Sequence, residues 1–203
     1  MMFADLKIRP MKLFVSFWPP GHVSKGPNAI KLIVFTGLAC LFLGGFDAAV
    51  AQETVRSGVV TRVVDGDTVW IKLASPAEGD KAGEVLKVRI VGIDAPEICQ
   101  PGGAQSLAAL RSHVLGQTVT LSSSPSTGHD DYGRVLGLLD KQGEDVGRWM
   151  VRRGQAWSDS YRRNPSPYAA EQTQAQAAGV GLFAQAEAES PRSFRKRHGS
   201  CYP

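Results

Sequence analysis

The sequence contains few of the cysteine and histidine residues that bind zinc in proteins. Its 203 residues include three cysteines and four histidines, and these do not form a ligand set with zinc spacing. The longest apolar run, residues 32–46, falls short of the roughly 20 residues that a membrane-spanning helix needs. We also find no internal repeat. What remains is one ordinary globular domain and an additional segment.

The additional segment lies at the N-terminus. Five basic residues precede the apolar run, and small residues stand at Ala49 and Ala51. A basic region, a short apolar region and an A-x-A-like site are the parts of a secretory signal peptide. We therefore predict that residues 1–51 are a signal peptide or leader and that the protein is periplasmic or secreted. A membrane anchor formed by an uncleaved leader is the alternative, and Met11 is a second candidate start.

The part of the chain that follows the leader also lacks a large excess of positive charge. The full chain has 23 Lys+Arg against 19 Asp+Glu, and the leader holds five of the former and two of the latter. Residues 52–203 therefore carry 18 basic against 17 acidic side chains, a net charge of +1. This balance excludes a strongly basic coat for nucleic acid, so any contact with a polyanion must be local.

Cys99 and Cys201 are the cysteines that follow the leader. An even number of cysteines in an exported chain favours one disulfide, because the compartment outside the cytoplasm is oxidising. Such a bond would tie the C-terminal tail to the segment just after Glu97. Two free thiols, or a pairing between chains, remain open as alternatives.

Hydrophobic periodicity predicts an α+β domain. Alternating and β-branched segments predict strands over 55–64, 68–73, 85–93, 118–121 and 135–139. Helical spacing and glycine stops predict helices over 105–115, 145–153 and 168–178. We expect a small five-stranded OB-like antiparallel barrel with about three helices packed outside, spanning 52–186. Residues 187–203 would form a basic C-terminal tail, tied back if the disulfide forms.

Three clusters in this domain could carry chemistry. They are Asp65-Gly66-Asp67-Thr68, the segment from Arg89 to Glu97, and Asp130-Asp131-Tyr132-Gly133-Arg134. Each has an ordinary structural explanation, since Asp-Gly-Asp is a common turn and Pro96 simply ends a strand. Arg89 is harder to explain in this way, because a charged side chain in an otherwise apolar strand needs a partner.

Taken together, the clusters contain the groups that hydrolysis of a phosphodiester requires. Asp67 and Asp94 are hard oxygen ligands that suit Ca²⁺ or Mg²⁺. The guanidinium groups of Arg89 and Arg134 can bind phosphate oxygens in a bidentate manner. Glu97 is a candidate to orient or deprotonate a water molecule. Fixed positive groups would stabilise the negative charge that grows on the phosphoryl oxygens in the transition state.

The same clusters carry a resemblance to a known family. The segments VVDGDTV (63–69), VRIVGIDAPE (88–97), DYGR (131–134) and AQAAGVGLFA (175–184) follow in order. Over about residues 55–184 the chain resembles the staphylococcal nuclease, or thermonuclease-like, family. The first three of these motifs in order, joined by a matching plan of strands and helices, are specific where any one alone would be weak.

The resemblance implies a role for each residue. Asp67, Asp94 and the backbone carbonyl of Ala95 would bind Ca²⁺, and Glu97 would act on the attacking water. Arg89 and Arg134 would bind the phosphate, and Tyr132 would help to position a neighbouring phosphate. The implied activity is calcium-dependent cleavage of DNA and RNA with little sequence preference, leaving 3′-phosphate ends. We expect a monomer without a stable protein partner.

The chain also departs from the family pattern. Position 95 is Ala where the best-known member has Thr, and Asp131 stands where that member has Lys beside the Tyr. The loss of this cation should weaken binding of a mononucleotide 5′-phosphate. Two other functions stay open: a nucleic-acid-binding barrel without catalysis, and an anchored envelope protein. The carboxylates argue against the former, because they repel phosphate unless a metal lies between.

Overall fold

The computed structural model describes residues 53–75, 79–81, 83–124, 128–160, 166–185, 187–199 and 201. The predicted leader, residues 1–51, lies outside the described residues. In the described part of the chain no helix has the length and apolar character to cross a membrane.

Five strands form a closed barrel. They are β1 (Thr54–Val63), β2 (Thr68–Ser75), β3 (Val85–Ile90), β5 (Thr118–Ser123) and β6 (Val135–Lys141). β1 lies between β2 and β5, β3 lies beside β2, and β6 lies beside β5. These pairings are antiparallel, whereas β3 and β6 close the barrel in parallel with Arg89 opposite Leu136. The predicted α+β, OB-like barrel is confirmed, with a parallel pair at its closure.

Three two-residue strands complete the β-structure among the described residues. β4 (Ile93–Asp94) pairs with β8 (Trp157–Ser158), and β7 (Glu144–Asp145) pairs with the end of β6. The sequence predicted one strand over 85–93, but the structure breaks it after Ile90. Gly92 adopts φ 80°, and a Cβ there would lie 2.6 Å from Pro167 Cγ. The chain therefore turns at Gly92, and β4 leaves the barrel.

The barrel interior is filled by alternate side chains of the strands. On β2 and β3, Val69, Ile71, Val88 and Ile90 are buried, while Trp70, Lys87 and Arg89 lie on the outer face. This alternation follows from the two-residue period of a strand. It places Arg89 outside the apolar core, on the face where charged partners can reach it.

In the described part of the chain, four helices lie outside the barrel. They are α1 (Gly103–Val114), α2 (Val146–Arg152), α3 (Ala169–Ala177) and α4 (Pro191–His198), with a short 3₁₀ turn at Gly181–Ala184. α1, α2 and α3 correspond to the three expected helices, with ends shifted by one or two residues. α4 is an addition to that expectation.

α4 lies in the segment that was expected to be a basic tail. The Ser190 hydroxyl accepts a hydrogen bond from the Ser193 amide, Pro191 occupies the first turn, and Gly199 follows the helix at φ 85°. These are ordinary start and stop signals for a helix. Phe194 is buried, so one aromatic side chain holds an otherwise charged helix against the domain.

Candidate active site

Asp67 is fixed by the tight turn between β1 and β2. The Asp67 amide donates to Asp65 Oδ1 at 3.0 Å, and its side chain lies in a buried position. A Cβ on Gly66 would lie 1.9 Å from Ser106 Oγ of α1. Glycine is therefore required here, because it lets the turn pack directly against the helix.

Arg89 lies between the two carboxylates that were predicted to bind metal. Its Nε is 3.0 Å from Asp67 Oδ1, and its Nη2 is 3.5 Å from Asp94 Oδ1. Arg89 Nη1 also donates to the Ile90 carbonyl. The cross-strand pair of Thr68 with Arg89 brings these groups together across β2 and β3. Arg89 was expected to need a charged partner, and the structure provides two aspartates, Asp67 and Asp94.

The β4–β8 pairing holds Asp94, which lies opposite Trp157. The next residue, Ala95, donates its amide to Asp67 Oδ2 at 2.9 Å. Asp94 and Ala95 are both buried. Two motifs that are separated along the sequence therefore meet through a direct hydrogen bond.

Arg134 reaches the same cluster through Thr68. Its Nη1 donates to Thr68 Oγ1 at 3.1 Å, and that hydroxyl donates to Asp67 Oδ1 at 3.0 Å. Arg134 Nε also pairs with Asp130 Oδ2 at 2.7 Å, and the Arg134 amide donates to Asp130 Oδ1. Asp130 thus orients the Arg134 side chain beside the turn between β1 and β2.

Glu97 belongs to a tight turn that precedes α1. Its amide donates to Gln100 Oε1 at 3.2 Å, and its carbonyl accepts from the Gln100 amide at 2.8 Å. A Cβ on Gly103 would lie 2.0 Å from the Glu97 carbonyl oxygen. The helix can start this close to Glu97 only with glycine at that position.

A third arginine, Arg195 of α4, contacts the same carboxylates. Its Nη1 donates to Asp94 Oδ1 at 3.0 Å and to Glu97 Oε1 at 2.9 Å, and its Nη2 donates to Asp94 Oδ2 at 3.0 Å. Sequence reasoning missed this residue. It lies 101 residues after Asp94, inside a run of basic residues whose ordinary explanation is a solvated face.

Tyr132 lies at the rim of the cluster. It is 80% exposed, and the Arg134 guanidinium lies 5.3 Å from the centre of its ring. Asp131 beside it is exposed as well. The loop therefore presents an aromatic ring and an acid to solvent, next to an arginine that faces the cluster.

The electrostatics of the cluster favour a bound cation. Burial raises the pKa of Asp94, the hydrogen bond from Arg195 opposes this shift, and the Asp67 charge adds to it. Burial also raises the pKa of Asp65, and the Asp67 charge acts in the same direction. Crowded, buried carboxylates of this kind are stabilised as anions by a positive partner.

The donor set suits a hard metal ion. Asp67 and Asp94 offer carboxylate oxygens from buried positions, and the Ala95 amide donates a hydrogen bond to Asp67 Oδ2. Oxygen ligands of this type select Ca²⁺ or Mg²⁺ over Zn²⁺. Asp67, Arg89, Asp94, Ala95, Glu97 and Arg134 are thus brought into one connected cluster, and Tyr132 borders it.

Comparison with known proteins identifies the family of this chain. The family described as Staphylococcal nuclease homologue matches residues 87–185. An uncharacterized endonuclease of Haemophilus influenzae is 31% identical over 167 residues, covering 82% of this chain and 86% of the relative. An uncharacterized endonuclease of Escherichia coli is 34% identical over 142 residues, covering 69% of this chain and 85% of the relative.

The chain belongs to the staphylococcal nuclease family. It is a hydrolytic nuclease, and its substrates are nucleic acids. This conclusion favours the enzyme over a binding barrel without catalysis. Members of the staphylococcal nuclease family are generally metal-dependent, in agreement with the paired carboxylates of this cluster.

Proposed function

We propose that this nuclease is a calcium-dependent phosphodiesterase that cleaves DNA and RNA with little sequence preference and leaves 3′-phosphate ends. The observation that carries the proposal is the position of Arg89 between two buried aspartates. Arg195 links Glu97 to Asp94, and the Thr68 hydroxyl links Arg134 to Asp67. This arrangement supports the proposal, because the candidate metal ligands, the arginines that can bind phosphate and the candidate base belong to one connected cluster.

In the proposed reaction Asp67, Asp94 and the Ala95 carbonyl hold the metal. A bound Ca²⁺ would supply charge that neutralises a phosphoryl oxygen and orients the substrate. Glu97 accepts a proton from the attacking water, which forms a new bond to phosphorus. The P–O5′ bond breaks, the departing oxygen takes a proton from solvent to become a 5′-hydroxyl, the phosphate stays on the 3′ side, and Glu97 returns its proton to solvent.

Arg89 and Arg134 contribute fixed positive charge during this step. Both guanidinium groups are tied to carboxylates, so their positions are set before substrate arrives. Pre-positioned donors stabilise the growing charge without a reorganisation cost. Tyr132, on the exposed rim, would contact the neighbouring phosphate of the strand.

We further propose that the enzyme acts in the periplasm or medium after removal of residues 1–51, as a monomer. The predicted leader and the cysteine pair support this assignment. The Sγ atoms of Cys99 and Cys201 lie at bonding distance, 1.98 Å, across a sequence separation of 102. A disulfide between them is part of the proposal, because it requires an oxidising compartment.

The test is hydrolysis of single-stranded DNA, duplex DNA and RNA by enzyme purified after expression of the full chain. Reactions contain Ca²⁺, Mg²⁺ or EDTA, and mass spectrometry identifies the product ends and the mature N-terminus. We expect cleavage with Ca²⁺, 3′-phosphate ends and no cleavage in EDTA. Equal rates with Mg²⁺ alone would contradict calcium dependence, and 5′-phosphate ends would contradict the direction of attack.

Glu97→Gln tests the proposed base within the same experiment. We expect kcat to fall by about 10²- to 10⁴-fold, the usual contribution of general acid–base catalysis. Glu187→Gln, at an exposed glutamate of the tail, is the matched control and should leave kcat unchanged. A Glu97→Gln enzyme within twofold of the parent would remove Glu97 from the mechanism.

A further inference from the structure

Arg195 holds the carboxylates that the proposed function assigns to metal and water. Its guanidinium makes a bidentate pair with both oxygens of Asp94 and shares Nη1 with Glu97. Paired, two-point contacts of this type are the strong form of a charge-assisted hydrogen bond. Arg195 therefore occupies donor atoms that a metal ion at Asp94 would need.

The helix that carries Arg195 is fastened close to the site. Phe194, the preceding residue, is buried, and Gln100 Nε2 donates to the Glu189 carbonyl at 2.7 Å just before the helix. Beyond the helix, Cys201 lies against Cys99. Both attachments lead to the segment that follows Glu97. A tethered guanidinium of this kind acts at a high effective concentration.

The Arg195 side chain itself is the exposed part of this attachment. It is 42% exposed, whereas the Asp94 side chain is 9% exposed. The guanidinium can therefore leave the carboxylates for solvent while Phe194 remains buried. The Arg195 guanidinium can thus be displaced while α4 stays in place.

Charge decides whether Arg195 and a metal can share the site. Asp67, Asp94 and Glu97 supply three negative charges, against which Arg89 and Arg195 supply two positive charges. One net negative charge remains with Arg195 in place, and two remain without it. Arg195 therefore makes binding of a divalent cation less favourable, and its departure makes that binding more favourable.

Resting on the metal assignment of the proposed function, we propose that Arg195 is a resident cation of the active site that competes with the metal ion for Asp94. Its departure also frees Glu97 from its hydrogen bond, which leaves that carboxylate available to the attacking water. The Cys99–Cys201 tether sets how strongly Arg195 competes. Arg195 is a positioning residue in this account, because it acts through Asp94 and Glu97.

Metal affinity of the full-length protein, measured by calorimetry without substrate, tests the proposal. Removing the competitor in Arg195→Ala should tighten Ca²⁺ binding by about 5- to 100-fold, the range usual for coupling between two ligands. Arg195→Lys keeps the charge but loses the bidentate contact and should fall between. Arg192→Ala, at an exposed arginine of the same helix, is the matched control and should bind as the parent does.

Linkage requires the reverse effect as well, since metal must loosen Arg195 by the same factor. The Arg195 Nε–H signal, assigned in NMR spectra by its loss in Arg195→Ala, should exchange faster with solvent when Ca²⁺ is added to the parent, whereas the α4 amides should keep their protection. Cys201→Ser should tighten Ca²⁺ binding in the parent and add nothing in Arg195→Ala. An equal effect of Cys201→Ser in both backgrounds would overturn the role of the tether.

The remaining outcomes separate this proposal from the proposed function. Unchanged or weaker Ca²⁺ binding in Arg195→Ala would overturn the competition and leave the metal site intact. Absence of Ca²⁺ and Mg²⁺ binding in every variant would overturn both, because no metal would remain for Arg195 to oppose.

Discussion

At the scale of single residues, Asp131 places a negative charge beside Tyr132 on the exposed rim of the site. The resemblance places a lysine at this position in the best-known member of the family. An acid there repels the phosphate that Tyr132 would contact. The site is thus expected to bind the strand at its half-buried arginines, Arg89 and Arg134, and to bind the flanking phosphate weakly.

Asp131→Lys should replace this repulsion of the flanking phosphate with an attraction. We expect the Kd for a nucleoside 3′,5′-bisphosphate to fall by roughly tenfold, about 1.4 kcal/mol, because an anion is replaced by a cation near the phosphate. Calorimetry in the presence of Ca²⁺ measures the change. Asp131→Asn should lie between the two, and Asp159→Lys supplies the control of equal charge change at an aspartate of another loop. An unchanged Kd in Asp131→Lys would place the flanking phosphate elsewhere.

Arg134 depends on geometry as well as on charge. Its Nε contacts Asp130 while Nη1 contacts Thr68, and a lysine has one amine for these two partners. Arg134→Lys should lower kcat by about 10²-fold, as expected for the loss of one oriented donor to a developing charge. Steady-state kinetics on single-stranded DNA check this, with Arg111→Lys on the exposed face of α1 as the control. A loss confined to KM would show that Arg134 binds the ground state instead.

At the scale of secondary-structure elements, α2 and α3 are joined by one buried tyrosine. Tyr168 precedes α3, and its hydroxyl donates to Asp145 Oδ2 at 2.8 Å, while Asp145 also accepts from the Arg148 amide at the start of α2. Burial and then the hydrogen bond with Asp145 raise the pKa of Tyr168, so the hydroxyl keeps its proton. Tyr168 thereby links the starts of the two helices, beside the ion pair of Arg148 with Glu171.

Tyr168→Phe should reduce the free energy of unfolding by roughly 1–2 kcal/mol, since Asp145 loses a hydrogen bond in a partly buried position. Urea unfolding followed by circular dichroism gives the value. Tyr132→Phe is the matched control, because its ring is exposed, and it should leave stability unchanged. Equal losses in the two variants would mean that the Tyr168–Asp145 bond adds nothing.

The elements also show which parts of the molecule the sequence could predict. Five barrel strands and three helices follow from local alternation and spacing, as do the motifs around Asp67 and Asp94. The break after Ile90 did not follow, because the apolar pattern continues through Ile93 while the backbone turns at Gly92, where a side chain would meet Pro167. α4 was missed for a similar reason: a short charged helix is stable here through Phe194 and through the carboxylates that Arg195 meets.

At the scale of the whole molecule, a few cationic side chains must bind the substrate, because the chain after the leader has a net charge near zero. Residues 52–203 carry 18 basic and 17 acidic side chains. Several arginines are engaged with acids, as Arg56 is with Asp80 and Arg197 with Glu189. The enzyme is therefore expected to hold its substrate through the active-site arginines, without a long basic track.

The salt dependence of binding measures how many phosphates the enzyme neutralises. For single strands the slope of log K against log salt is about −0.7 per phosphate, so two or three contacts give roughly −1.4 to −2.1. We expect this range for the slow Glu97→Gln enzyme on single-stranded DNA at fixed Ca²⁺. A track of phosphate contacts along the protein would instead give a slope steeper than about −4. Arg152→Ala, which removes an exposed arginine of α2, should leave the slope unchanged, whereas Arg134→Ala should reduce it by about 0.7.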